Sequence, residues 1–181
     1  MRLGECLGLR MDCVTPTHLV VKQQAQKLGG RLEIRPPKTK SSVRTIPIPE
    51  GFYAQLLATR SHEGIYLCSN TNGDVLDPEN ASRAMAAAAT RSGLTTATFH
   101  HLRSSFSSNM DEAGCPVRAK KEIMGHVAGN VSEGYSRAYD QTKTRFLGIL
   151  LEAMDEADRL LVVRPLGGRK KVMEHFEEGT N

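Results

Sequence analysis

Long apolar runs are missing from this chain of 181 residues, and none approaches the ~18 consecutive apolar residues that a membrane span needs. No signal peptide is expected, and the four cysteines, Cys6, Cys13, Cys68 and Cys115, include no CxxC pair. That usage predicts free thiols in a reducing cytoplasm rather than a disulfide framework, and leaves the Asn80-Ala-Ser and Asn130-Val-Ser sequons without meaning as glycan sites. No pair among His100, His101, His126 and Cys115 has the spacing of zinc ligands, so a metal centre is not expected. Internal repeats are absent. What is left is a soluble chain of a length that suits one domain with its own core. Its formal net charge of +4 fits a polyanionic partner without requiring one.

The order of elements can be read from periodicity and breakers. Residues 2–9 read as a helix fragment, with Leu3, Cys6, Leu7 and Leu9 apolar and Arg2 and Glu5 one turn apart. Thr17–Lys22 is β-branched and apolar, Gly29-Gly30 supplies a turn, and Arg31–Arg35 and Val43–Ile48 alternate. In the last of these, Arg44 and Ile46 fall on one face and Val43 and Thr45 on the other. The pattern predicts a three-stranded antiparallel meander whose basic loop, PPKTKSS, is a hairpin tip bearing Lys38 and Lys40. A short helix follows from Pro49 to Arg60, then a brief buried strand over Gly64–Cys68. Asp77-Pro78-Glu79 starts an alanine-rich helix that carries Arg83 and Arg91 and ends at Gly93. Thr98 caps the next helix, Gly114 breaks it, and Pro116 opens another. A last helix is expected from Asp140 or Thr142, with Phe146, Leu147, Leu150, Leu151, Met154 and Leu160 as its apolar stripe. Residues 164–181 read as a frayed tail.

Chemistry concentrates between residues 98 and 137. His100 and Arg103 stand three apart in a helical pattern, so they share a face and converge on one ligand. A guanidinium offers a planar fork that fits two oxygens of one phosphate, which the point charge of a lysine cannot imitate. Neighbouring helical residues point about 100° apart, which turns His101 away from that face. Further on come Gly125-His126 and, nine residues after the histidine, Tyr135.

The set HxxR, then GH, then a tyrosine nine residues on, resembles the catalytic motif of the tyrosine recombinases, the phage integrase family. RLGECLGLRMD at residues 2–12 resembles that family's first arginine box, and PPKTKSSVRTIPIP at 36–49 its lysine-bearing β-hairpin, so the likeness runs from Arg2 to Tyr135. It implies an α+β fold, a mostly helical catalytic domain with a small three-stranded antiparallel sheet, over residues 1–163, followed by the tail 164–181. It implies that Tyr135 attacks a DNA phosphodiester, giving a 3′-phosphotyrosine and a free 5′-hydroxyl, with Tyr139 as the rival nucleophile. Because the bond energy is stored covalently, neither ATP nor a metal is called for, and no cofactor is expected. Arg2 and Arg103 would balance charge on the nonbridging oxygens, His100 would act as base, and His126 would bind the phosphate. Lys38 would protonate the leaving oxygen, with Lys40 as the alternative.

Glu5 matches the acidic residue after the family's first arginine, where it orients neighbours. Lys40, Arg44, Arg83 and Arg91 are candidate DNA contacts. The implied partners are double-stranded DNA and further copies of the chain, docked through the last helix, in the integration or excision of a mobile element or prophage. A noncatalytic DNA-binding remnant and a type IB topoisomerase are the competing readings. Relatives carry a helical core-binding domain before the catalytic one, whereas here Arg2 stands at the start. The expectation is therefore a truncated first helix and weak activity.

Overall fold

A computed structural model describes residues 1–37, 42–60, 62–94, 96–126 and 136–160, the side chains of 136–139 and 157–160 excepted. The first helix, α1 (Leu3–Leu7), is followed by a 3₁₀ turn at Met11–Cys13 and by the strands β1 (His18–Val21), β2 (Gln24–Leu28), β3 (Arg31–Arg35) and β4 (Arg44–Pro47). Five helices complete the chain: α2 (Phe52–Ala58), α3 (Pro78–Arg91), α4 (Phe99–Glu112), α5 (Val117–Met124) and α6 (Ser136–Leu160). The mixed, mostly helical α+β character is as expected.

The strands are arranged differently from a three-stranded meander. β1 pairs antiparallel with β4, His18 opposite Pro47, and β2 pairs antiparallel with β3, Gln24 opposite Arg35. The first strand thus extends beyond Lys22 to Leu28 after a break at Lys22-Gln23, and the two later strands pair with its successive halves rather than with each other. The turn between β2 and β3 is at Gly29-Gly30, both with positive φ, which glycine adopts at no steric cost. β3 and β4 therefore do not pair with each other, and residues 38–41 of the PPKTKSS loop, with Lys38 and Lys40, lie outside the described residues. Gln24–Leu28 escaped the sequence reading because QAQKL lacks β-branched residues. Its place in a sheet comes from pairing and from Ala25 packing beneath α1.

Gly64–Cys68 is not a strand either. It makes an isolated bridge, Arg10 opposite Tyr66, and Ile65 is 55% exposed.

Helix ends follow the capping rules. Asp77 accepts from the backbone N–H of Glu79 at 2.7 Å and of Asn80 at 3.4 Å, and Thr98 Oγ1 accepts from His101 N at 3.2 Å. α4 ends before Gly114, which sits at φ 74. The last helix begins at Ser136, four residues before the earlier of its expected starts.

The main core gathers Val21 and Ile46 from the β1–β4 pair, Met110 from α4, and Ala119 and Ile123 from α5, with Phe146, Leu147 and Leu150 of α6 packed against it. Met154, further along the same stripe, is 63% exposed. A smaller cluster of Leu7, Ala25 and Ala81 seats α1 on β2 and α3. The approach is close: a Cβ at Gly4 would stand 2.6 Å from the Ala25 carbonyl oxygen, and one at Gly8 2.8 Å from Gln24 Cα. That contact fixes the helix whose N-cap is Arg2. No helix among the described residues is long and apolar enough to cross a membrane.

Candidate active site

Arg2 stands at the N-cap of α1. Its Nη1 donates to Glu5 Oε1 at 2.9 Å and to Ser42 Oγ at 3.4 Å, while its backbone N–H donates to Glu5 Oε2 at 2.7 Å. The three-residue spacing brings acid and base together on one turn. Glu5 is 1% exposed, and a carboxylate so placed needs more than one donor.

Arg44 of β4 supplies them. Its Nη2 donates to Glu5 Oε2 at 2.9 Å and its Nη1 to Glu5 Oε1 at 3.2 Å. The same guanidinium donates from Nη1 to the Ser42 carbonyl and from Nε to the Ile123 carbonyl, both at 2.8 Å. Burial alone would raise the Glu5 pKa, but the hydrogen bonds from Arg44 and Arg2 outweigh it and bring it down to about 2. Arg44, a candidate DNA contact by sequence, is therefore a 7% exposed side chain spent inside the protein.

α4 presents His100 and Arg103 to one cleft of about 440 Å³, whose lining also includes Arg2, Ser82, Met85 and Phe99. His101 is exposed and does not line it. Arg103 reaches the end of α5: its Nη2 donates to the Met124 carbonyl at 2.6 Å and to His126 Nε2 at 2.9 Å. Its Nη1 is buried and has no hydrogen-bond acceptor among the described residues. Burial, then the nearby Arg2 charge, lowers the Arg103 pKa, without neutralising a guanidinium. His126 is also pushed below the ordinary histidine value, by desolvation first and then by the charges of Arg103 and Arg2. Since Arg103 can only donate, His126 Nε2 accepts, and its ring proton sits on Nδ1.

A second cleft of about 530 Å³ opens on the other side of Arg2, lined by Glu5, Gln24, Arg35, Pro37 and Ser42. Arg2 thus separates the His100–Arg103 cleft from the loop that leads toward residue 38. Lys38, Lys40 and Tyr135 lie outside the described residues, as does the Tyr139 side chain. Arg83 and Arg91 are exposed on α3, and Arg83 donates to Asn80 Oδ1. The structure therefore brings together Arg2, His100, Arg103 and His126, with Glu5 as predicted beside Arg2. The sequence reading missed the inward role of Arg44, although its own alternation, placing Arg44 on the Ile46 face, held the signal.

The model of the Phage integrase family matches residues 1–142. A tyrosine recombinase XerC-like protein of Caldanaerobacter subterraneus subsp. tengcongensis is 26% identical over 154 residues, which are 70% of this chain and 39% of that protein. Tyrosine recombinase XerA of Pyrococcus furiosus is 30% identical over 100 residues, 52% of this chain and 35% of that one. The chain spans well under half the length of these relatives. Among solved structures, the Tn1549 transposon integrase in complex with circular intermediate DNA aligns with a TM-score of 0.61 at 21% identity, over 78% of this chain and 55% of that one. XerA recombinase aligns with a TM-score of 0.52 at 20% identity, over 87% and 53%. These likenesses establish a shared fold.

Proposed function

The chain belongs to the phage integrase family, and from that premise we propose that residues 1–163 form the catalytic domain of an enzyme that cuts and rejoins double-stranded DNA through a phosphotyrosine. The observation that carries this reading is the meeting of Arg2, His100 and Arg103 in one cleft, with a buried Arg103 donor that has no acceptor among the described residues and His126 held against the same guanidinium. Preorganised donors of this kind suit a phosphorane-like transition state, in which negative charge grows on nonbridging oxygens.

In the proposed step the Tyr135 oxygen attacks phosphorus in line and loses its proton to His100, and the bond to the 5′-oxygen breaks. Lys38, or Lys40 in its place, protonates that oxygen. The product is a 3′-phosphotyrosine and a free 5′-hydroxyl, and attack by a second 5′-hydroxyl reverses the step. Tyrosine is a poor nucleophile near neutral pH with a pKa of ~10, so a cationic site that stabilises the phenolate is needed. Arg2 and Arg103 meet that need. His126, neutral with its proton on Nδ1, would donate to a phosphate oxygen.

The relatives named recombinase and integrase, and the DNA seen with the Tn1549 integrase, support DNA as substrate and integration or excision of a mobile element as the setting. Exposed Ile149 and Met154 on α6 support self-association on DNA through that helix. Arg83 and Arg91 remain candidate backbone contacts.

The test is covalent trapping on nicked duplexes tiled from the DNA flanking the encoding locus. Tyr135→Phe should abolish the adduct and leave noncovalent binding nearly unchanged, and Tyr139→Phe should be tolerated. An adduct that survives the first change and vanishes in the second refutes the nucleophile. DNA binding with no adduct in the unmodified chain would favour a noncatalytic remnant, and plasmid relaxation without sequence preference a topoisomerase.

A further inference from the structure

The last four carbonyls of an α-helix lack partners within the helix, and at α5 every one of them is accounted for. Two are closed by backbone: His126 N donates to the Lys121 carbonyl at 2.8 Å and Gly125 N to the Glu122 carbonyl at 3.1 Å, the pattern of a helix ending on a left-handed glycine. The other two are closed by arginines from distant elements. Arg44 takes Ile123 O at 2.8 Å, and Arg103 takes Met124 O at 2.6 Å. His126 projects from this end.

Arg44 also holds the opposite side of the site. Two of its nitrogens fork onto both oxygens of Glu5, the carboxylate that accepts from the Arg2 backbone and side chain. One buried guanidinium therefore touches the support of Arg2 and the support of His126 at once. Gly125 makes the approach close: its φ is 71, and a Cβ there would stand 2.8 Å from Arg44 Nη1 and 3.1 Å from Cζ.

We propose that Arg44 is a positioning residue, which sets Arg2, through Glu5, and His126, through the Ile123 carbonyl, at a fixed separation across the phosphate site. The proposal rests on the reading of that site given above. A lysine would keep the charge but not the role. Its single nitrogen cannot serve two carboxylate oxygens and two carbonyls lying in different directions. Arg44 reaches no substrate in this arrangement, so its loss acts on geometry.

The experiment compares the full chain with Arg44→Lys, each checked for folding by circular dichroism and thermal melting. Three quantities are read: the rate of adduct formation on the flanking-DNA duplexes, the Kd for the same duplexes, and the ¹⁵N spectrum of the His126 ring. In folded Arg44→Lys the rate should fall about a hundredfold, the loss expected for a displacement near 1 Å, with Kd changed less than about threefold. The His126 spectrum should shift from the Nδ1–H tautomer to a mixture. Gly125→Ala reaches the same contact while keeping every charge, and should show the same split between rate and Kd and the same spectral change. A folded variant of either kind with the unmodified rate and tautomer overturns the proposal. If the unmodified chain forms no adduct, the functional reading fails, yet the His126 spectrum still decides the positioning role: an unchanged tautomer in the variants refutes it.

Discussion

Arg103 and His126 meet across 2.9 Å, guanidinium Nη2 to imidazole Nε2, and the contact has one chemical sense because an arginine carries no acceptor. Protonating Nε2 would set two cations against each other. Desolvation and the neighbouring arginine charges accordingly hold the His126 pKa below the ordinary 6.5. The unfolded chain then binds the proton more readily than the folded one, so stability is lost as pH falls from 6.5 through the lower folded value. An NMR titration of His126 should show this depressed pKa, and Arg103→Gln should raise it by removing a cation. A wild-type value at or above 6.5 would contradict the contact.

Glu5 gives a second pH signature, of carboxylate kind. Its folded pKa of about 2 lies below the ordinary 4.5, so its contribution is fully present above pH 4.5 and is lost as pH falls through about 2. Glu5→Gln removes the charge and leaves the buried Arg44 guanidinium without its counterion, at a cost of roughly 3 kcal/mol near neutral pH. Denaturant melts across pH should show the two proteins converging between pH 4.5 and about 2. A constant gap over that range would mean that the Glu5 charge does not matter.

Much of this site could be read from the chain before any coordinates. The three-residue step from His100 to Arg103 correctly put both on one cleft, the cap at Thr98 fixed the helix that carries them, and the Arg2–Glu5 spacing anticipated their pairing. What escaped were relations between elements far apart in sequence. Nothing local indicates that Arg44 and Ile123 meet, or that Arg103 closes the end of α5, since such contacts follow from how β4, α4 and α5 pack around Met110. The β2 strand was hidden for a related reason. QAQKL has little intrinsic strand preference, and its pairing with β3 is imposed by the glycine turn and by α1 lying on its backbone.

A third expectation concerns the tie between α5 and α6. Lys143 is buried, with its Nζ 2.9 Å from Glu122 Oε2 and 3.2 Å from Asp140 Oδ1. Burial works against its charge, but the hydrogen bonds it donates to Glu122 and Asp140 outweigh it and raise its pKa. Glu122→Gln should destabilise the fold by roughly 1–3 kcal/mol, because it weakens the support of a buried ammonium. The double variant Glu122→Leu/Lys143→Met should be closer to the unmodified protein than either single change, as expected where two charges are desolvated together. Additive losses in a double-mutant cycle would show that the pair is not coupled.

Arg103 Nη1, which has no acceptor among the described residues, leads to the last prediction. A buried N–H without an acceptor costs about 1–3 kcal/mol, and this one belongs to a side chain that also lines the cleft beside Arg2 and His100. An anion arriving there would relieve the deficit, and would do so best when its oxygens carry most charge, so the gain falls mainly on the transition state. Arg103→Lys keeps a cation but lacks the planar fork, in which Nη2 serves Met124 O and His126 while Nη1 remains for a phosphate oxygen. Adduct formation should drop by about 10²–10³-fold, the loss typical of removing one preorganised donor. Affinity for the same duplex should change far less, because noncovalent binding draws on many phosphate contacts and should weaken steeply with salt in both proteins. Equal losses in rate and affinity would assign Arg103 to ground-state DNA binding, and an unchanged rate would remove it from the catalytic set.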